Sequence, residues 1–215
     1  MHLQTSSQPV VDLGFHNCSC NWGTHLCGLY ESEKERDDII LGFLGRGDQA
    51  NDLGLYCPTE RTLASFSELF KSRYPESENH LDDPDRFRFL DARTLYYPNG
   101  SFSPPEMISG LDRFFADTQK EGPRNIRGVV DMIWSQESKT PGVEHLMAYE
   151  AKLNRFIPGK PWVSLCLYDV NKFSGSVIMS VLQTHPYTIS GGVVTENPFY
   201  QEPDRWLENN APEFL

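Results

Sequence analysis

Trp22-Gly23-Thr24-His25-Leu26-Cys27-Gly28-Leu29-Tyr30-Glu31 is the stretch on which the reading of this chain turns. Residues 24–30 are mostly apolar and end in an aromatic, as a short buried strand does. Ser32 and Glu35 follow as a capping box that opens a helix. Ile39, Ile40, Phe43 and Leu44 give that helix its apolar stripe, and Gly45 and Gly47 are expected to stop it. Parallel α/β sheets bind ligands where strand ends meet helix starts, so this junction is expected to help form a site.

The alternation continues outward. Residues 53–57 read as a strand ended by Pro58, and Leu63, Phe66, Leu69 and Phe70 stripe a helix ended by Pro75. An acidic loop over 75–86 precedes a strand near 86–90, and Asn99-Gly100 favours a hairpin-like turn. Ser103-Pro104-Pro105-Glu106 is a strong helix start. Residues 126–134 and 162–168 read as strands, the second apolar enough to be buried on both faces. Helices striped by Val143, Leu146, Met147 and Leu153 and by Val177, Ile178, Val181 and Leu182 follow them, and His185-Pro186 closes the last. Residues 187–195 suggest a final strand and the remainder an irregular tail. The pattern predicts an α/β, three-layer sandwich: a mainly parallel sheet with helices on both faces. Residues 1–14 read as a flexible lead and 15–215 as a single domain.

Composition narrows the function. A net charge of −11 disfavours direct nucleic-acid contact and an anionic membrane surface, both of which need clustered Lys and Arg. No apolar run of membrane-spanning length occurs, and the N-terminus lacks a signal core. Five cysteines in 215 residues do not suggest a disulfide framework, so a cytoplasmic setting is expected.

The turn after the first strand, Tyr30-Glu31-Ser32-Glu33-Lys34-Glu35, lacks the glycines, Lys and hydroxyl of a P-loop, and its glutamates would repel a triphosphate. No Gly-x-Ser-x-Gly or His-Glu-x-x-His motif occurs. His16, Cys18, Cys20, His25 and Cys27 offer nitrogen and sulfur ligands for zinc, or a thiol redox switch, though not at finger spacing. Equally, Cys27 would be core and Cys18 and Cys20 an incidental pair. Glu150 falls on an apolar helical stripe, where a carboxylate needs a partner. It would anchor a ligand, or bond from helix to sheet with Tyr168 or His25. His185 sits at a helix C-terminus, where the dipole favours its protonated form. Tyr30, Trp134 and Tyr168 close three predicted strands, as core lids or as the lining of a small apolar pocket.

Taken in order, several segments together resemble the MEDS family, the sensory domain of methanogen and methylotroph regulators. They are His25-Leu26-Cys27-Gly28-Leu29-Tyr30, Phe43-Leu44-Gly45-Arg46-Gly47, Tyr97 with Gly100-Ser101-Phe102, and the strand from Arg127 to Trp134. Tyr149-Glu150-Ala151-Lys152-Leu153-Asn154, Leu165-Cys166-Leu167-Tyr168-Asp169, His185-Pro186 and Asn197-Pro198-Phe199-Tyr200 complete the set, which spans residues 24–200. The resemblance implies a degenerate RecA-like domain without a working P-loop. It also implies a sensor of simple hydrocarbon derivatives, often fused to DNA-binding, kinase or sigma-factor-regulating modules.

The resulting expectation is a non-enzymatic small-molecule sensor acting in transcriptional regulation through a protein partner. Its ligand would lie at the C-terminal edge of the sheet, among His25, Cys27, Tyr30, Trp134, Glu150, Tyr168 and His185. No cofactor is required, apart from zinc if His16, Cys18, Cys20, His25 and Cys27 gather. A zinc- or redox-responsive regulator built on that cluster is the alternative.

Overall fold

A computed structural model describes residues 10–15, 18–77, 79–120, 122–136 and 140–215. A small antiparallel hairpin, β1 (Val10–Asp12) with β2 (Ser19–Asn21), precedes the main sheet. That sheet has seven strands in the order β5-β4-β6-β7-β3-β8-β9. They are β3 (His25–Tyr30), β4 (Leu53–Cys57), β5 (Phe87–Phe89), β6 (Ile126–Asp131), β7 (Trp162–Asp169), β8 (Tyr187–Ser190) and β9 (Val193–Glu196). Every pairing from β5 across to β8 is parallel, and β9 returns antiparallel to β8.

Two apolar layers cover the sheet. Leu26 and Tyr30 of β3 pack on one face with Val11, Leu13, helix α1 (Glu33–Gln49) and helix α2 (Leu63–Arg73). Cys27 faces the other way, toward α3 (Ala92–Tyr96), α4 (Pro104–Thr118), α5 (Leu146–Phe156) and α6 (Gly175–Thr184). The alternation is the period of two of a strand covered on both sides. An outer helix, α7 (Pro203–Asn210), packs Trp206 and Leu207 on Ala148 and Ala151 of α5. The helices on both faces of a largely parallel sheet make the expected three-layer α/β sandwich.

Several local expectations are corrected. Residues 10–14 are no flexible lead: Val10–Asp12 is a strand and Leu13 is fully buried, while residues 1–9 lie outside the described residues. Gly45 and Gly47 do not stop α1 but lie inside it. A Cβ on Gly45 would sit 2.2 Å from the Tyr74 ring, and one on Gly47 2.5 Å from Arg127 Cδ. These glycines therefore admit close packing, which tertiary contact alone demands. The 126–134 strand ends at Asp131, and Met132–Gln136 is a 3₁₀ turn. The excursion near Asn99 is a turn after the short helix α3 and not a hairpin, and the tail, expected to be irregular, contains α7.

One buried ion pair ties the first layer to the sheet. Arg127 of β6 donates from Nε to Asp52 at 2.7 Å and from its guanidinium to the Asp12 carbonyl at 2.7 Å. Both charged side chains are buried. Asn125 donates to the second Asp52 oxygen at 2.9 Å, so the carboxylate is satisfied on both sides.

Candidate functional site: a buried polar cluster and an apolar cleft

Strand parity and register build the polar cluster. β3 and β7 run parallel with His25 opposite Ser164, Cys27 opposite Cys166 and Leu29 opposite Tyr168. Cys166 and Tyr168, two residues apart, therefore share the face toward α5 and α6. Glu150 enters from α5, and His185 from the residue that ends α6.

One carboxylate sits at the centre. Tyr168 donates its hydroxyl to Glu150 Oε1 at 2.6 Å. The other oxygen, Oε2, lies 3.2 Å from His25 Nε2, 3.6 Å from His185 Nε2 and 3.7 Å from Cys166 Sγ. His25 Nε2 is also 3.4 Å from Cys166 Sγ, and the two imidazole centroids are 4.1 Å apart. All five side chains are buried. Burial pushes both histidines down to about 3 and raises the Glu150 carboxyl and the Cys166 thiol, because each charged form loses its hydration.

His185 is therefore neutral, against the expectation drawn from the helix dipole. Its Nδ1 donates to the Val181 carbonyl at 2.8 Å, which leaves a lone pair on Nε2. Desolvation outweighs a dipole that would favour the cation by about 0.3–1 kcal/mol at an exposed terminus. His185 Nε2 and His25 Nδ1 are buried without a hydrogen-bond partner.

The structure regroups the residues named from sequence. His25, Glu150, Tyr168 and His185 come together, and the helix-to-sheet bond expected of Glu150 is present. They do so beneath α5 and α6, beginning at the first residue of β3 rather than at the C-terminal edge of the sheet. Cys27 shares that face, and its thiol lies 3.8 Å from the Tyr187 carbonyl. Tyr30 is on the opposite face, because it lies an odd number of residues from His25 and Cys27 along β3. Trp134 belongs to an aromatic group with Tyr96, at 4.4 Å between centroids, and Phe102, at 5.4 Å.

Among the described residues, the expected ligand set of His16, Cys18, Cys20, His25 and Cys27 does not assemble. Cys20 packs with Val11, Leu13 and Leu26 on the far face of the sheet from Cys27. His16 lies outside the described residues. Among the described residues, the group that gathers metal-type ligand atoms is His25, Glu150, Cys166 and His185. Sequence reasoning missed Cys166 as a site residue. Its signal was its position two residues before Tyr168 in the most apolar strand, which fixes it on the face of Glu150's partner.

The head of α1 closes on itself. Ser32 Oγ accepts from the Glu35 N–H at 3.2 Å, and the Glu35 carboxylate accepts from the N–H groups of Glu31 at 2.9 Å and Gly191 at 2.8 Å. A side-chain carboxylate thus takes backbone donors at the place where a P-loop would present them to phosphate.

A separate cleft of about 570 Å³ opens where β5 leads into α3 and α4. Leu55, Leu95, Tyr96, Met107, Leu111 and Phe114 form its apolar wall, and Gly110 lies at its lip. Leu55, Leu95, Tyr96 and Leu111 also line an inner void of about 20 Å³ that reaches Tyr149 and Leu153 on α5. Sequence reading placed no site there; the amphipathic stripe of α4 was the only signal, and it reads equally as core.

Solved structures share the fold, two archaeal proteins among them. The KaiC-like protein PH0186 of Pyrococcus horikoshii OT3 matches with a TM-score of 0.58 at 11% identity, over 85% of this chain and 80% of that one. The flagellar accessory protein FlaH of Methanocaldococcus jannaschii matches with a TM-score of 0.51 at 14% identity, over 84% and 83%. At such identities they establish a RecA-like architecture alone. In sequence, the chain is 25% identical over 179 residues to the transcriptional repressor DcmR of Methylorubrum extorquens. That alignment covers 83% of this chain and 61% of the repressor, so the chain spans about three-fifths of that relative's length. The model of the MEDS family (methanogen/methylotroph, DcmR sensory domain) matches residues 24–186, which contain the whole buried cluster and the whole cleft. The chain belongs to the MEDS family of sensory domains.

Proposed function

We propose that this chain is a cytoplasmic sensor of a small apolar organic molecule, acting on transcription through a regulatory partner rather than by touching DNA itself. The cleft between β5, α3 and α4 carries this reading, because its volume and apolar wall suit such a ligand. Its position revises the expected ligand edge: the pocket is lined by α3 and α4, and Trp134 backs it only through Tyr96. Family membership and the likeness to a repressor support the regulatory role, and the net charge of −11 disfavours direct DNA contact. A ligand would have to favour one of two conformations to signal. Tyr96 offers a route inward, since its hydroxyl lies 3.4 Å from that of Tyr149, the neighbour of Glu150 on α5.

The test fills the cleft. A Cβ on Gly110 would meet only the flexible end of Arg113, Nη2 at 4.0 Å, so Gly110→Phe should fold and occupy the cavity. Short haloalkanes, alcohols and alkanes are screened against both proteins by calorimetry and thermal shift. Binding to the wild type that Gly110→Phe abolishes supports the proposal. Equal binding by both proteins, or binding by neither, overturns it.

A further inference from the structure

We propose that His25, Glu150, Cys166 and His185 form a tetrahedral site for one divalent transition-metal ion, zinc being the best match to the donors. The donor atoms all lie within 4.8 Å of one another. For metal–N/O bonds near 2.1 Å and a metal–S bond near 2.3 Å, tetrahedral geometry puts neighbouring donors about 3.3–3.6 Å apart. Four separations in the cluster are 3.2, 3.4, 3.6 and 3.7 Å. Three of the four are measured to Glu150 Oε2, which places that oxygen at the corner of the set shared by His25, His185 and Cys166.

Two of the four donors, Glu150 and His185, are held by outer partners as metal ligands are. Tyr168 takes Glu150 Oε1, which turns Oε2 toward the shared centre. The Val181 carbonyl takes His185 Nδ1–H, which presents the Nε2 lone pair to the same centre. Such outer partners fix the rotamer and tautomer of metal ligands. That Nε2 is buried with no partner among the described residues, an arrangement a bound cation would relieve. Charge also balances. A divalent ion, one thiolate, one carboxylate and two neutral imidazoles sum to zero, which a buried site requires. Binding releases the Cys166 thiol proton to solvent, along with any proton held by Glu150. The mixed sulfur and nitrogen donors favour zinc over magnesium or calcium. None of these residues lines the apolar cleft, so the site stands independently of the ligand proposed there.

The full chain, stripped with a chelator and confirmed folded by circular dichroism, is titrated with Co²⁺ and then Zn²⁺. One equivalent of Co²⁺ should give the strong visible bands of tetrahedral cobalt and a near-ultraviolet thiolate-to-metal band, and zinc should displace it. Cys166→Ser should lose the thiolate band, whereas Cys27→Ser, altered at the facing position on β3, should keep it. Tyr168→Phe should weaken affinity about 10–100-fold, as loss of an outer partner does. Should Cys166→Ser fail to fold, the wild-type spectrum and the Tyr168→Phe affinity still decide. Folded wild type that takes up neither ion, a thiolate band that survives Cys166→Ser, or one that vanishes in Cys27→Ser overturns the assignment.

Discussion

Tyr168→Phe isolates the contact that holds the polar cluster together. The substitution removes a hydroxyl 2.6 Å from Glu150 Oε1 and little else, since both side chains are fully buried. Water cannot replace the lost donor without opening the core. A hydrogen bond contributes about 0.5–3 kcal/mol, the upper part of that range applying to a charged partner, and an orphaned buried acceptor costs about 1–3 kcal/mol. The loss should therefore be about 2 kcal/mol. For a chain of this length each kcal/mol moves the melting temperature by about 2–4 °C, so a fall of about 4–8 °C is expected. Urea unfolding followed by circular dichroism, in chelator at neutral pH, gives the free energy directly. A double-mutant cycle with Glu150→Leu, which removes the acceptor, should show a coupling of at least about 1 kcal/mol, as directly bonded neighbours do. A Tyr168→Phe protein within about 0.5 kcal/mol of wild type, or strictly additive effects in the cycle, would refute the assigned role of this bond.

Three further outcomes follow from the packing. Gly45→Ala should destabilise by about 1–3 kcal/mol because its Cβ would meet the Tyr74 ring, whereas Gly110→Ala on α4, whose Cβ would come no nearer than 4.0 Å to Arg113 Nη2, should gain up to about 1 kcal/mol from helix propensity; thermal melts of the pair check both signs. Asp52→Ala should cost about 3–5 kcal/mol by leaving the Arg127 guanidinium buried without its counter-ion, measurable as a lower urea midpoint. Asp48 feels burial, which raises its pKa, but hydrogen bonds from Ser77, Arg86 and His80 outweigh it and hold the carboxyl below its ordinary value. Its stabilisation is thus present above the unfolded-state pKa and is lost as pH falls through the folded-state value, so Asp48→Asn should be less stable than wild type at neutral pH and converge with it in acid.

Much of the architecture was legible in one dimension, because strands and helices here alternate with clean apolar periods and conventional caps. Ser32 and Ser103 accept from the N–H groups of Glu35 and Glu106, as their spacing implied. Glu150 was conspicuous for the same reason: a carboxylate breaking an apolar stripe is a local anomaly. Gly45 and Gly47 misled because a helix-stopping glycine and one that admits a neighbouring side chain look identical in sequence.

What the sequence determined by itself was the layering, the missing phosphate cradle and the family, since each is written in local spacing or in motif order. Which residues share a site was decided only by the tertiary structure. Parity along β3 sent Tyr30 to one face and Cys27 to the other, and the register with β7 set Cys166 beside Glu150 and both histidines. Strand order and register arise from long-range pairing, and no window of neighbouring residues contains them.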